Sequence, residues 1–308
     1  MIKFIILALL LVLLFGGGAK LVRAGGARSL NFADRLLGAG DGARLLLSGQ
    51  LYGRGPRQAL DIWVPGHAGQ GDRHPVVVFF YGGGWNSGAR GDYGFVGRAL
   101  AREGFVVVIP DYRLTPRAHW PDFLKDSAAA IAWTREHVAG LGGDPDRIAL
   151  MGHSAGAYNA MMLALDPQWL RGAGSDPSVL RGVAGLAGPY DFLPLEKGGS
   201  ADKAMGKARP LECTQPIAFA RGDAPPLWLA TGDADIAVRP RNSQNLAAAI
   251  ERAGGSATLR IYPGVGHSGI VMALSTPFRG KAPVLGEASD FLRGVTGRRI
   301  APPAERAP

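Results

Sequence analysis

The feature that most constrains this chain is a succession of short apolar runs, each parted from the next by a stretch of different periodicity. Strand-type runs lie at about 44–53, 59–65, 76–81, 105–112, 147–152, 182–188, 227–232 and 258–264. The first two are close in sequence and alternate in polarity, which predicts an antiparallel start. From Val76 onward the runs ("VVVFFY", "FVVVIPDY", "RIALMG", "LWLATG") are continuously apolar, as strands covered on both faces should be. Between them "FVGRALARE", "FLKDSAAAIAWTREHV", "AGAYNAMMLAL" and "RNSQNLAAAIERAG" carry helical patterns, and "VLGEASDFLRGV" follows the last run. Strands alternating with helices predict an α/β domain, with a mostly parallel sheet of eight strands and helices on both faces. It is expected to span residues 45–297. A chain of 308 residues that is 47% hydrophobic has the core for it.

The ends read differently. Lys3 precedes an unbroken apolar run from Phe4 to Phe15, then glycines and Lys20. This is the pattern of a secretory signal or, counted on through Ala19, of an N-terminal membrane anchor. Val22 and Ala24 would frame a cleavage site. Residues 1–24 are therefore expected to export the chain, either processed in the periplasm or anchored at the inner membrane and facing it. Residues 25–44 are expected to be a linker with one amphipathic piece, "LNFADRLLG". The polar, proline-rich end, 298–308, is expected to be a disordered tail.

The net charge of +9 is scattered through the chain, without the basic stripe and interleaved aromatics that nucleic acid would require. Membrane contact is expected through the N-terminal segment only. Cys213 is the one cysteine, so no intrachain disulfide can form. No Cys/His cluster offers a zinc site, and neither metal nor cofactor is expected.

Chemistry enters with "RIALMGHSAGAYNAMMLAL". Gly152-His153-Ser154-Ala155-Gly156 ends an apolar strand and opens a helix, the context in which a G-x-S-x-G pentapeptide presents a nucleophile. A side chain at Gly152 or Gly156 would collide with backbone in so sharp a turn. A serine hydroxyl needs a base, and the base needs an acid to orient it. His267, in "YPGVGHSG" after the last strand, follows the acid-bearing loop. His67, His74, His119, His137 and His153 do not. In "LATGDADIAV" two carboxylates compete. Asp233 stands where it could cap its own turn, whereas Asp235 lies further out, where a loop can deliver it to His267.

With "YGGGW", "PDYRL", "GGDPDRIALMGHSAG", "GPYDF", "TGDADIAV" and "YPGVGHSG" in order, the chain resembles α/β-hydrolase serine esterases of the hormone-sensitive-lipase and feruloyl-esterase-like (BD-FAE-like) group. The likeness runs from about Gln50 to Gly294. It implies the α/β-hydrolase fold and a carboxylic-ester hydrolase acting on small or medium acyl or aryl esters through Ser154, His267 and Asp235, the last matching the family's G-x-x-D. It also implies an oxyanion hole from the amides of Gly83, Gly84 and Ala155, where bare backbone can approach the reacting oxygen. Two residues depart from the pattern. Tyr81 replaces the histidine that usually precedes the glycines and is expected to anchor the loop through its hydroxyl. Ala157 stands where a second glycine is common.

Asp144 and Arg147 are expected to fix the turn into the nucleophile strand. The segment from Leu193 to Ala224, after the sixth strand, is expected to be a small lid, with Trp85, Tyr190 and Phe192 as candidates to line the substrate pocket or else to sit in the core. Amide, formamide or peptide hydrolysis on the same residues is the alternative reaction. A non-catalytic binding protein on the same fold is the alternative class. Oligomeric state is not legible.

Overall fold

The protein is described by a computed structural model covering residues 22–38, 42–67 and 71–297. The expected export segment up to residue 21 and the tail from residue 298 lie outside the described residues.

The strands are β1 (Ala43–Leu51), β2 (Ala59–Pro65), β3 (His74–Phe80), β4 (Val106–Pro110), β5 (Gly143–His153), β6 (Leu180–Leu186), β7 (Leu227–Gly232) and β8 (Ala257–Tyr262). They form one sheet in the order β1-β2-β4-β3-β5-β6-β7-β8. β1 pairs antiparallel with β2, and β2 with β4; every later pairing is parallel. Burial follows the patterning. Val76 to Phe80 on β3 are fully covered, while edge strand β1 is exposed along much of its length.

The longer helices are α1 (Val22–Leu37), α2 (Gly94–Arg102), α3 (Asp122–His137), α4 (Ala155–Leu165), α7 (Arg241–Arg252) and α9 (Val284–Thr296). The short ones are α5 (Gln168–Gly172), α6 (Ser200–Met205) and α8 (His267–Met272). Right-handed crossovers place α2 and α9 on one face, and α3, α4 and α7 on the other. Every residue of α4 is buried, which its unbroken apolar and small composition requires. Arg147, at the start of β5, bonds the Thr296 and Arg73 carbonyls, and Asp144 Oδ1 accepts from the Asp146 amide at 3.1 Å. Asp144 therefore serves the turn as expected, whereas Arg147 ties β5 to the end of α9 and to the residue before β3.

One expectation fails. Residues 25–44 are not a linker, because α1 runs through most of them and is packed. Leu30 and Ala33 are buried. Asp34 is 1% exposed and accepts from Arg98 Nε of α2 at 2.8 Å and from the Thr276 amide at 2.7 Å. Asn31 Nδ2 donates to the Gly91 carbonyl at 2.7 Å. A carboxylate buried in this way needs its charged partner, and the partner lies 64 residues away.

Candidate active site

The site lies at the C-terminal edge of the parallel strands, where loops after β3, β5, β7 and β8 converge. The turn from β5 into α4 holds Ser154 at φ 55°, ψ −123°, a conformation rarely open to a residue with a side chain. It is held by backbone contact. A Cβ on Gly152 would lie 2.4 Å from the Gly156 carbonyl oxygen, and one on Gly156 only 2.1 Å from that of Phe80. Both glycines are obligatory. Ala157, the departure from the family pattern, is buried within α4.

His267 is the first residue of α8. Its Nε2 lies 2.9 Å from Ser154 Oγ, and its Nδ1 lies 2.8 Å from Asp235 Oδ2. Asp235 is 3% exposed, and its other oxygen accepts from the amides of Ala237 at 2.9 Å and Val238 at 2.8 Å. One carboxylate oxygen is thus held by backbone amides while the other faces the histidine ring. Asp233 is exposed, and its Oδ1 accepts from the Gly264 amide at 2.7 Å. It thus links the loops after β7 and β8 without reaching the histidine. Those loops touch closely, since a Cβ on Gly232 would meet the Val265 carbonyl oxygen at 1.8 Å.

Facing Ser154 is the loop after β3. Gly83 and Gly84 adopt φ 131° and 58°, which favour glycine. A Cβ on the preceding Gly82 would stand 3.0 Å from Ser154 Cβ, so bare backbone runs directly past the serine. Ala155, the first residue of α4, adds its amide at the helix N-terminus.

Tyr81 anchors this loop by its hydroxyl, which donates to Asp111 Oδ1 at 2.7 Å and accepts from Arg57 Nη2 at 2.6 Å. Its ring stacks between Tyr93 and Tyr112. Burial beside Asp111 pushes the Tyr81 phenol well above its ordinary pKa, so it remains a donor. Arg57 also bonds the Gly88 carbonyl at 2.7 Å, and the Arg90 amide donates to Asp111 at 2.8 Å. Both ends of the glycine loop are therefore tied to one charged cluster.

Of the three residues that could line the pocket or sit in the core, two sit in the core. Trp85 is 3% exposed, donates to Asn159 Oδ1 at 3.2 Å and packs on Phe123 and Tyr158. Tyr190 is fully buried, filling the space beside Gly185 and Gly188 that a Cβ on either would occupy. Phe192 alone of the three is partly open, edge-on to Tyr158.

Sequence reasoning weighed His153 only as a rival base. It lies buried beside Ser154, with its ring 5.0 Å from that of His267, and Nε2–H donates to the His267 carbonyl at 3.0 Å. Burial, reinforced by the neighbouring His267, lowers its pKa to about 3 and keeps it neutral. Arg57 was missed altogether, for it belongs to no motif, and Asp111 entered only as part of "PDYRL", with no role assigned to it. Among the described residues no group of His, Cys, Asp and Glu side chains could hold a metal ion.

Residues 60–250 match the model of the BD-FAE family. The esterase LipQ of Mycobacterium tuberculosis is 31% identical over 266 residues, covering 81% of this chain and 62% of its own length. A probable isoprenylcysteine α-carbonyl methylesterase of Oryza sativa subsp. japonica is 30% identical over 251 residues, covering 75% of this chain and 58% of its own. The chain thus spans about three fifths of the length of these curated relatives. Among solved structures, a truncated carbohydrate esterase from gut microbiota superposes with a TM-score of 0.72 at 22% identity, covering 84% of this chain and 99% of that one. Esterase 2 of Thermogutta terrifontis does so at 0.68 and 24%, covering 82% and 95%. On its strand order, its elbow and these likenesses, the chain belongs to the BD-FAE family and has the α/β-hydrolase fold.

Proposed function

We propose that the protein is a serine carboxylic-ester hydrolase, and the observation that carries this reading is His267 placed between Ser154 Oγ and Asp235 Oδ2 at 2.9 and 2.8 Å. Ser154 Oγ attacks the ester carbonyl carbon as its proton passes to His267 Nε2. The imidazolium so formed is stabilised by Asp235. The carbonyl oxygen becomes an oxyanion held by the amides of Gly83, Gly84 and Ala155, donors that are worth on the order of 10²–10³ in rate each. The carbon–oxygen bond to the leaving alcohol then breaks, and His267 returns the proton to that alcohol. Water attacks the acyl-enzyme with His267 again as base, releasing the acid and restoring Ser154. Relatives named as esterases and methylesterases support an ester over an amide.

The segment after β6 acts in this reading as a small lid that sizes the pocket for small or medium acyl or aryl groups. Its α6 lies on the glycine loop, since a Cβ on Gly84 would stand 3.0 Å from Ser200 Cβ. Its helix also accepts from the Trp120 amide at the Ala204 carbonyl at 2.8 Å, and His119 Nδ1 lies 2.9 Å from the Lys203 carbonyl. Phe192 is the aromatic that reaches substrate.

The test is hydrolysis of p-nitrophenyl esters from acetate to laurate, with Ser154→Ala as control. Turnover that falls with chain length and drops at least ~10³-fold in Ser154→Ala is the expected result. Turnover retained in that variant overturns the mechanism. No turnover on any ester moves the assignment to amides or to binding without reaction.

The apolar run from Phe4 to Phe15 supports export, with the chain cleaved in the periplasm or anchored facing it. No described helix is long and apolar enough to cross a membrane. The mass of the mature N-terminus decides between cleavage near Gly25 and an intact Met1.

A further inference from the structure

Most large apolar side chains left exposed among the described residues gather in one stretch. Phe32, Leu36 and Leu37 on α1 and Leu45 and Leu51 on β1 are between 41% and 62% exposed, and only Ile236 and Ile261 lie elsewhere. Phe32 and Leu36 are one helical turn apart, on the side of α1 turned away from buried Leu30 and Asp34. Arg28 and Arg35 share that outward side and are also exposed, Arg28 with its Nε on Asp92 Oδ1 at 3.0 Å. Cβ atoms added to Gly38 and Gly42 would both meet Arg102, at 3.2 and 3.0 Å. One side chain therefore brings the end of α1, with Leu36 and Leu37, to the start of β1, with Arg44 and Leu45.

Charge and chain direction indicate what covers this surface. The residues outside the structure end where α1 begins, and they carry the apolar run Phe4 to Phe15. From position 20 to 45 the basic residues are Lys20, Arg23, Arg28, Arg35 and Arg44. Of the two acidic residues there, Asp34 is buried against Arg98. A helix with an apolar stripe between arginines suits the boundary between headgroups and acyl chains. Clustered cations next to it favour anionic lipid. A second copy would offer Arg35 no opposite charge from the same outward side of α1.

We propose that the outward face of α1, with the adjoining start of β1, is a bilayer-contact surface that rests on anionic phospholipid. The proposal rests on the export-or-anchor reading, which brings lipid within reach of α1, and is independent of the ester chemistry.

The test uses the full chain in a Cys213→Ser background, labelled with an environment-sensitive fluorophore at Leu36→Cys. A control label at Glu251→Cys sits on α7, beside the opposite edge of the sheet. The vesicles are phosphatidylcholine with or without phosphatidylglycerol, doped with nitroxide-labelled lipid. Quenching at Leu36 severalfold stronger than at Glu251, dependent on phosphatidylglycerol and weakened by salt, is the expected result. Sedimentation with vesicles but equal quenching at the two sites would mean that the apolar run anchors alone; the surface proposal then fails and the anchor reading stands. No sedimentation overturns both. A lipid-independent change at Leu36 that grows with protein concentration assigns the face to a second copy and also overturns the proposal.

Discussion

Two loops meet beside Ser154 and are held in different ways, the turn from β5 into α4 by backbone contact and the loop after β3 by charged side chains. At the turn, the spaces that Cβ atoms of Gly152 and Gly156 would occupy are filled by carbonyls of Gly156, Phe80 and Tyr81. At the loop, Asp111 accepts from Tyr81, Arg57 and Arg90, and Arg90 reaches on to Asp61 at 2.8 Å. Arg57 itself sits at φ 64°, a strain of about 1 kcal/mol that its bonds to the Tyr112 and Gly88 carbonyls offset. Backbone contact admits no adjustment, whereas a network of side chains can be weakened by degrees. Ser154 gains a fixed position, and the loop that faces it gains one that depends on several residues at once.

The contrast is broken most severely by Gly156→Ala. The added carbon meets backbone at 2.1 Å, with no flexible side chain to yield, so the stability loss should exceed ~4 kcal/mol, seen as failed soluble expression or a collapsed melting transition. Near-normal melting would mean that the turn has slack. Asp111→Ala comes next, leaving Arg90 and Arg57 facing a lost counter-charge. Urea unfolding should register about 3–5 kcal/mol, and a loss under ~1 kcal/mol would remove the network as the anchor of the loop.

His153 sharpens the comparison, since it touches both loops. Its folded-state pKa of about 3 lies below the ordinary 6.5, so between these values the unfolded chain binds a proton that the folded one does not. Stability should therefore fall as pH drops through that window, by at most ~1.4 kcal/mol per pH unit from this group. His153→Gln keeps a donor for the His267 carbonyl and removes the titration. Unfolding free energies at several pH values should show a shallower acid slope in the variant, and identical slopes would refute the assignment. The smallest effect is expected from Ala157→Gly, which restores the family's commoner residue at a cost of roughly 1 kcal/mol in helix stability. A calorimetric melt checks it; a rise in melting temperature would show that the alanine is strained.

What the sequence disclosed follows the same division. The eight runs became eight strands, because continuous burial and glycine-bounded turns are local properties of a sequence. The elbow was legible since its glycines are required within five positions, and loop order after β7 and β8 pointed to Asp235 and His267. Features depending on distant partners were not legible. Helix α1 read as linker because Asp34 finds Arg98 only in the folded chain. Trp85 and Tyr190 read as pocket candidates because nothing local reveals that Asn159 receives one, or that Gly185 and Gly188 make room for the other. Arg57 lies in no motif and "PDYRL" does not say what Asp111 binds; their meaning arises from a tyrosine 24 residues beyond the arginine and 30 before the aspartate.

The bond between His267 and Ser154 spans 113 residues, and Asp235 stands between them in the chain. On a ribosome the serine emerges long before the base that would activate it. A nascent chain therefore carries an inert hydroxyl throughout its synthesis. On the proposed mechanism, reactivity at Ser154 arrives only once the last strand has docked, so a covalent serine probe applied during synthesis would report completion of the sheet rather than presence of the polypeptide.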